Sequence, residues 1–221
     1  MLDQPSVVSE PGALLAGDLS ALAAQIGSAD VLATLAGPVF PHGPIHSLAA
    51  LREFLEGYRG KFLFAIELPA VCQAFGHASR YELRELLALD RHLAGSVLPR
   101  ELANASQRVG RMQLKRLQPL RDQRLLQRYR QAIERREAHG WHTLVYGLAL
   151  QVYSLPLRQG LVAYAQQTLA TFLSAAARSL ELTEAQRQEM LAEMLGPVAG
   201  RVEDLLTPPG FARLTLVGGP G

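Results

Sequence analysis

Apolar residues recur along this chain at helical spacing. Around Leu51 they fall at Leu48, Leu51, Phe54, Leu55 and Tyr58, one face of a helix that Ser47 is placed to cap. Upstream, the Leu- and Ala-rich stretch from Leu14 to Ala36 predicts a helix ended by Gly37-Pro38, with Gly27 a point where it could break. Phe40 to His46, with prolines and glycines close together, predicts a loop. After Tyr58, Leu63 to Ala78 continues as helix with Pro69 near its start, where proline is tolerated. Ser79-Arg80-Tyr81-Glu82 has the form of a capping box ahead of a Leu-rich helix to about Val97. Pro99 opens a helix from Arg100 to about Gln118, Pro119 ends it, and Leu120 to Glu137 is amphipathic again. His139-Gly140-Trp141-His142 is a connector, and Thr143 to Tyr153 is apolar on nearly every side, which places it at the centre of a bundle. Pro156 opens a long helix to about Leu180, whose Ser174 to Ala177 patch of small residues admits a close neighbour. Thr183-Glu184-Ala185-Gln186 is a second capping box, for a helix to Leu195, and a short helix runs from Pro197 to Leu206. No alternating strand pattern of useful length occurs. The expected fold is all-α: a single helical-bundle domain of roughly ten helices over residues 14–206, without a sheet. It lies between a flexible N-terminus (1–13) and a Pro/Gly-rich tail (207–221) that is either disordered or a docking strand.

Composition supports a folded core: of 221 residues, 48% are hydrophobic and 19% charged. No apolar run approaches membrane-spanning length, and Met1-Leu2-Asp3-Gln4-Pro5 lacks the basic-then-apolar form of a secretory signal. The lone Cys72 has no internal disulfide partner and sits in the apolar run Leu68-Pro69-Ala70-Val71, so core packing in a reducing cytoplasm is expected.

Charge changes the picture more. The net charge is +2, yet Arg100 to Glu137 holds 11 Lys or Arg against 4 Asp or Glu, so the remainder carries −5. Arg108, Arg111 and Lys115 share one helix face, and Arg121, Arg124, Arg128 and Arg135 share a face of the next. Such stripes attract an anionic surface, or are simply solvated. A basic helical nucleic-acid-binding module centred on Arg108 to Arg136 is the alternative reading. Against it, the stripe offers only Tyr129 for stacking and no recognised DNA-binding turn.

Candidates for chemistry are few. None of the six histidines (His42, His46, His77, His92, His139, His142) sits in an H-E-x-x-H arrangement. His139 and His142 form a weak candidate for two metal ligands at a dimer interface. The simpler reading puts His139 after a helix C-terminus and has His142 cap or pack against the next helix. Glu53 and Glu56 share a solvated face, while Glu101 and Glu134 to Glu137 lie among arginines as ordinary ion pairs. Glu67, in Phe64-Ala65-Ile66-Glu67-Leu68, is the carboxylate expected to be partly buried and perturbed, with no partner evident. There is no nucleophile elbow, P-loop or dinucleotide fingerprint, so no catalytic residue is assigned and the chain reads as a protein-binding, non-enzymatic factor.

Several segments, in register, resemble the urease accessory protein F family. Arg100-Glu101-Leu102-Ala103-Asn104-Ala105-Ser106-Gln107-Arg108-Val109-Gly110-Arg111 is similar to its R-E-x-x-x-A-S-x-x-x-G-R segment. His139-Gly140-Trp141-His142-Thr143-Leu144-Val145-Tyr146-Gly147 resembles its H-x-x-v-v-f-G helix. Pro156-Leu157, Tyr164 and Ser174 to Arg178 match its l-p-l, y-l and s-A-a-v-R runs, Ser47 to Tyr58 its l-x-x-f-l-e-g-y helix, and Leu86 to Asp90 its l-x-x-l-D. The order and spacing agree from about Ser47 to Leu195. Two stretches depart from the pattern. Ser20 to Asp30 keeps almost nothing of the family's P-x-G-x-F-S-x-S-x-G-L-E opening, and its R-L-v-P-L-G-Q-x-x-G-Q ending is reduced to Arg178, Leu182 and Gln188. The chain reads as a divergent member.

The resemblance implies an all-helical, cytoplasmic factor in urease maturation. Such a factor is a homodimer that binds a scaffold accessory protein (D or H) and with it recruits the GTPase accessory protein G, which carries nickel to apo-urease. No cofactor is expected to be tightly bound; nickel delivery is implied by the resemblance. Arg178, Gln188, Glu101, Ser106, Arg108 and Arg111 are the candidate partner-binding residues, and Gly110, His142 and Gly147 the family positions expected to shape the bundle.

Overall fold

A computed structural model describes residues 45, 47–96, 98–117 and 123–207. The predicted Leu14–Ala36 helix, the flexible N-terminus, nearly all of the Phe40–His46 loop, Arg121 and the tail from Pro208 lie outside the described residues. Those described form α1 (Leu48–Tyr58), a π-helical segment (Arg59–Glu67), α2 (Leu68–Ser79), α3 (Leu83–Ala94), α4 (Arg100–Arg116), α5 (Arg124–Glu134), α6 (His142–Val152), α7 (Leu157–Leu180), α8 (Glu184–Leu195) and α9 (Val198–Leu206). Among them the fold is all-α, with no strand.

α6 is the axis of the bundle. Every residue from His142 to Leu150 is buried, as its all-round apolar pattern requires. It packs most extensively against α2, then against α4, while α7 carries α8 and α9 and touches α2. α3 lies on α2, and α5 on α3. α4 is amphipathic: Leu102, Ala105, Val109, Leu114 and the following Leu117 are buried, whereas Arg108, Arg111 and Lys115 face solvent. Cys72 is fully buried in the α2 face, and burial pushes its thiol up to about 11, so it serves as core.

Sequence and structure differ at three places. First, α1 and α2 are not separate helices. The π-helical segment joins them, with right-handed helical backbone at both junctions and the Leu68 N–H bonded back to the Leu63 carbonyl. Pro69 follows at once. It has no N–H to give, and its ring would clash with the carbonyl four residues back in a regular α-helix. The wider turn accommodates it. Second, Ser79 does not cap α3. It ends α2, its hydroxyl donating to the Gly76 carbonyl at 2.8 Å, and Glu82 turns to Arg80 and His77, each at 2.8 Å. Third, α5 spans Arg124–Glu134 within the predicted Leu120–Glu137, because the chain reverses at Arg136. The Ser47 cap and the Thr183–Gln186 capping box are both present.

Helix ends carry a recurring strain. Tyr81, Arg136, Ser154 and Glu181 adopt positive φ (58°, 63°, 53° and 50°) just past α2, α5, α6 and α7. At Tyr81 the N–H reaches the Ala78 carbonyl (3.1 Å) and the Glu82 N–H reaches His77 (2.9 Å), the bonding of a Schellman turn that glycine usually completes. Tyr81 is 67% exposed, so its ring has little packing to lose. Tyr81→Gly is expected to raise the unfolding free energy by about 1 kcal/mol, read from urea melts. A drop would show that the ring makes contacts that outweigh the strain.

Candidate functional site

The connector between α5 and α6 is held from below by one side chain. Asp90 on α3 is fully buried, and its carboxylate accepts from the His139 N–H (2.7 Å), His139 Nδ1 (2.8 Å), the Gly140 N–H (3.0 Å) and the Tyr129 hydroxyl (2.6 Å). Its backbone carbonyl takes the Trp141 indole N–H at 3.0 Å. Desolvation, reinforced by the Asp90 charge, holds the Tyr129 phenol well above its usual range, so it remains a donor. On the other side, Arg111 of α4 closes over the connector, Nε donating to the His139 carbonyl at 2.9 Å.

Gly110 and Gly140 make this approach possible. A Cβ on Gly110 would sit 2.2 Å from the Gly140 carbonyl oxygen, and Gly140 itself has φ 76°, with Arg111 Cγ and Ile133 Cδ1 closing around it. Next along the buried α4 stripe, Ser106 Oγ accepts the His142 N–H (3.3 Å) and Gln113 Oε1 meets His142 Nδ1 (2.8 Å). Burial holds the His142 imidazole down at about 4, so the ring is neutral and stacks on Tyr164 at 5.4 Å between centroids.

Glu67, at the end of the π-helical segment, is the buried carboxyl expected from its apolar surroundings. Tyr58 donates to its Oε1 at 2.8 Å, while Oε2 is buried without a hydrogen-bond partner. Burial raises the group from 4.5 to about 7, against lesser opposing contributions from the Tyr58 and Tyr164 hydroxyls. Glu67, Tyr58, Ser106, His142, Tyr164 and Thr168 line a narrow recess with room for about one water molecule.

These two groups act in opposite directions on stability. The Glu67 contribution is fully present below about 4.5 and is lost as pH rises through about 7. The His142 contribution is present above 6.5 and is lost as pH falls through about 4. Between 4.5 and 6.5 they offset each other. Glu67→Gln removes one of them, so the stability of this variant is expected to climb with pH across that window, by at most about 1.4 kcal/mol per pH unit. Urea unfolding at several pH values tests this; a pH profile parallel to that of the wild type would contradict it.

The candidates from sequence fall into three groups. Ser106, Gly110, His142 and Gly147 are buried and knit the bundle; a Cβ on Gly147 would lie 2.5 Å from the Val71 carbonyl oxygen of α2. Arg108 and Arg111 are exposed on α4, whereas Gln188 is exposed on α8 and donates to Glu184 of its own helix (3.0 Å). The side chains of Glu101 and Arg178 lie outside the described residues. As for a His139–His142 metal pair, the two Nδ1 atoms face different acceptors, Asp90 and Gln113. No group of three His, Cys, Asp or Glu among the described residues is placed to hold a metal. Two site residues were not anticipated, Asp90 and Gln113. Each is a polar residue on an apolar helix face, beside Leu86, Leu89 and Leu93 for Asp90 and below Leu102, Ser106 and Val109 for Gln113. That interruption was the available signal.

Around this buried lattice lies the basic face. Arg108, Arg111 and Lys115 on α4 are exposed, as are Arg124 and Arg128 on α5 and Arg135 and Arg136 just beyond it. Among the described residues, Arg130 is the one cation of α5 that pairs with an acid, Glu134 at 3.4 Å. No described helix is long and apolar enough to cross a membrane.

The family model for UreF matches residues 45–195, the whole stretch from the start of α1 to the end of α8. Similar proteins include the urease accessory protein UreF of Actinobacillus pleuropneumoniae, 25% identical over 166 residues, which cover 75% of this chain and 73% of that one. Those of serotype 5b (strain L20) and serotype 3 (strain JL03) are 25% and 24% identical over the same length.

Proposed function

We propose, from the premise that this chain belongs to the UreF family of urease accessory proteins, that it is a non-enzymatic assembly factor for nickel insertion into apo-urease. In this reading the chain dimerises and bridges a scaffold accessory protein (D or H) and the GTPase accessory protein G, with nickel passing as cargo. The carrying observation is the family match, which spans residues 45–195 and so takes in the helices from α1 to α8. The site geometry supports it. Asp90 of α3 holds the connector, and Ser106 and Gln113 of α4 bond to His142 of α6 where the connector ends, an arrangement suited to presenting a surface. A cytoplasmic location follows from the same reading.

The test is deletion of the gene in its own cell, with urease activity and urease-bound nickel as readouts, together with capture of partners by the tagged full chain. Low activity rescued by the gene, and recovery of the scaffold and the GTPase with the chain, are the expected results. Fully nickel-loaded, active urease in the deletion strain would end the proposal.

A further inference from the structure

We infer that the face formed by Arg108, Arg111 and Lys115 of α4, together with His139, is a docking surface for an acidic helix of a protein partner. This rests on the assembly-factor reading and adds to it the place and the chemistry of one contact.

Two of the four side chains are already fixed in orientation. The Arg111 guanidinium is tied through Nε to the His139 carbonyl (2.9 Å) and through one terminal nitrogen to Gln107 Oε1 (3.4 Å), yet the residue is exposed. The His139 ring is 40% exposed and is anchored through Nδ1 to the buried Asp90, which leaves Nε2 as its free nitrogen. A guanidinium held in this way loses little freedom when it meets a carboxylate, and the His139 Nε2, an acceptor in the neutral ring whose Nδ1–H is given to Asp90, can take a hydrogen bond from a donor on the same partner.

Arg108 and Lys115 flank this pair on the same helix face, exposed, and neither has an ion pair among the described residues. Arg108, Arg111 and Lys115 stand three and four residues apart, where like charges repel. Arg135 and Arg136 lie at the end of α5, where the connector begins; of the acids on either side of them, Glu134 pairs with Arg130 and Glu137 is exposed with no ion pair among the described residues. The fold therefore concentrates cations here without neutralising them. The stripe from Arg108 to Lys115 runs about 10 Å along the helix, the span of carboxylates two turns apart on a facing helix. Nucleic acid is the poorer fit: among the described residues the exposed large apolar side chains are Tyr81 and Tyr153, neither of them on α4, α5 or the connector, so the half-exposed His139 ring is the one aromatic surface this face offers a base.

The experiment uses the tagged full chain, expressed together with the urease accessory proteins and apo-urease of its own cell. Arg108→Glu with Lys115→Glu is compared with Lys61→Glu plus Arg84→Glu, which makes the same charge change at exposed positions away from α4. Partner capture is expected to fall about tenfold or more for the α4 pair and to stay near wild type for the control, with wild-type capture weakening as salt rises. Arg108→Gln with Lys115→Gln should show the same loss in smaller measure, and circular dichroism verifies that each variant is folded. Equal capture by wild type and the α4 reversal overturns the surface while leaving the assembly-factor reading intact. A wild-type chain that captures none of these proteins removes both. Duplex DNA binding that depends on Arg108 and Lys115, with partner capture unaffected by their reversal, overturns the surface in favour of nucleic acid.

Discussion

Gly110→Ala is expected to destabilise the chain by about 3 kcal/mol or more, while Gly57→Ala, the same chemical change, stabilises it by about 0.5–1 kcal/mol. Both glycines lie in helices, where alanine is the better residue by about 1 kcal/mol. What separates them is their surroundings. A Cβ on Gly57 meets nothing within 4 Å. A Cβ on Gly110 would lie 2.2 Å from the Gly140 oxygen, 2.6 Å from the Trp141 carbonyl carbon and 2.7 Å from the His142 nitrogen. All three are backbone atoms, so no rotamer change relieves the overlap. The connector cannot retreat easily, because Asp90 grips its two N–H groups and Gly140 already uses a backbone conformation open mainly to glycine. α4 would have to move off α6, opening voids along Ala105, Val109 and Leu114. Gly147→Ala is expected to behave similarly, since its Cβ would meet the Val71 oxygen of α2 at 2.5 Å. Urea unfolding of the three variants decides the matter. A Gly110→Ala protein as stable as the wild type would mean that the helices separate freely and that the contact is not needed.

What could be read from the sequence follows from how local each cause is. The central place of α6 was legible because its apolar residues surround the helix on all sides, and the Thr183 capping box because cap and partner lie three residues apart. Glu67 stood out by its apolar neighbours, but its donors did not. Tyr58 is nine residues away and Tyr164 is on another helix, and only the folded chain brings them to the same carboxyl. The predicted cap at Ser79 failed because the pattern does not say which helix claims the serine; a Schellman turn at Tyr81 extended α2 through it. Four helix ends of this type carry Tyr, Arg, Ser and Glu where glycine would have announced them. The π-helical join was hidden for a related reason: Pro69 reads as a helix start whether the preceding turn is open coil or a widened helix. In the candidate site, Gly110, Gly147 and His142 were legible through family positions, and the contacts that make them matter were not.

Asp90 was legible only as one letter of a motif, yet the structure assigns it the largest local effect. Asp90→Ala is expected to lower the unfolding free energy by about 3–5 kcal/mol, because it strands several buried or half-buried donors at once. The His139 and Gly140 N–H groups have no helix to return to, and Tyr129 is fully buried, so water does not simply replace the carboxylate. Asp90→Asn is the sharper test, since it keeps the volume. Each carboxylate oxygen now receives two donors: Oδ1 takes the His139 N–H and Nδ1, and Oδ2 takes the Gly140 N–H and the Tyr129 hydroxyl. An amide must turn its NH₂ toward one of these pairs, and at least one backbone N–H then faces another donor. The asparagine variant is therefore expected to lose a large part of what alanine loses, although it differs from aspartate by one polar atom. Hydrogen exchange localises the effect: the His139 and Gly140 amides should exchange much faster in both variants, while those in the middle of α6 keep their protection up to the new global limit. The connector also fixes the His139 ring and, through the His139 carbonyl, the Arg111 guanidinium, so both variants should weaken partner capture beyond what their lower stability explains. Unchanged exchange at His139 and Gly140 in Asp90→Asn would show that the carboxylate does not hold the connector, and its control over the basic face would fall with it.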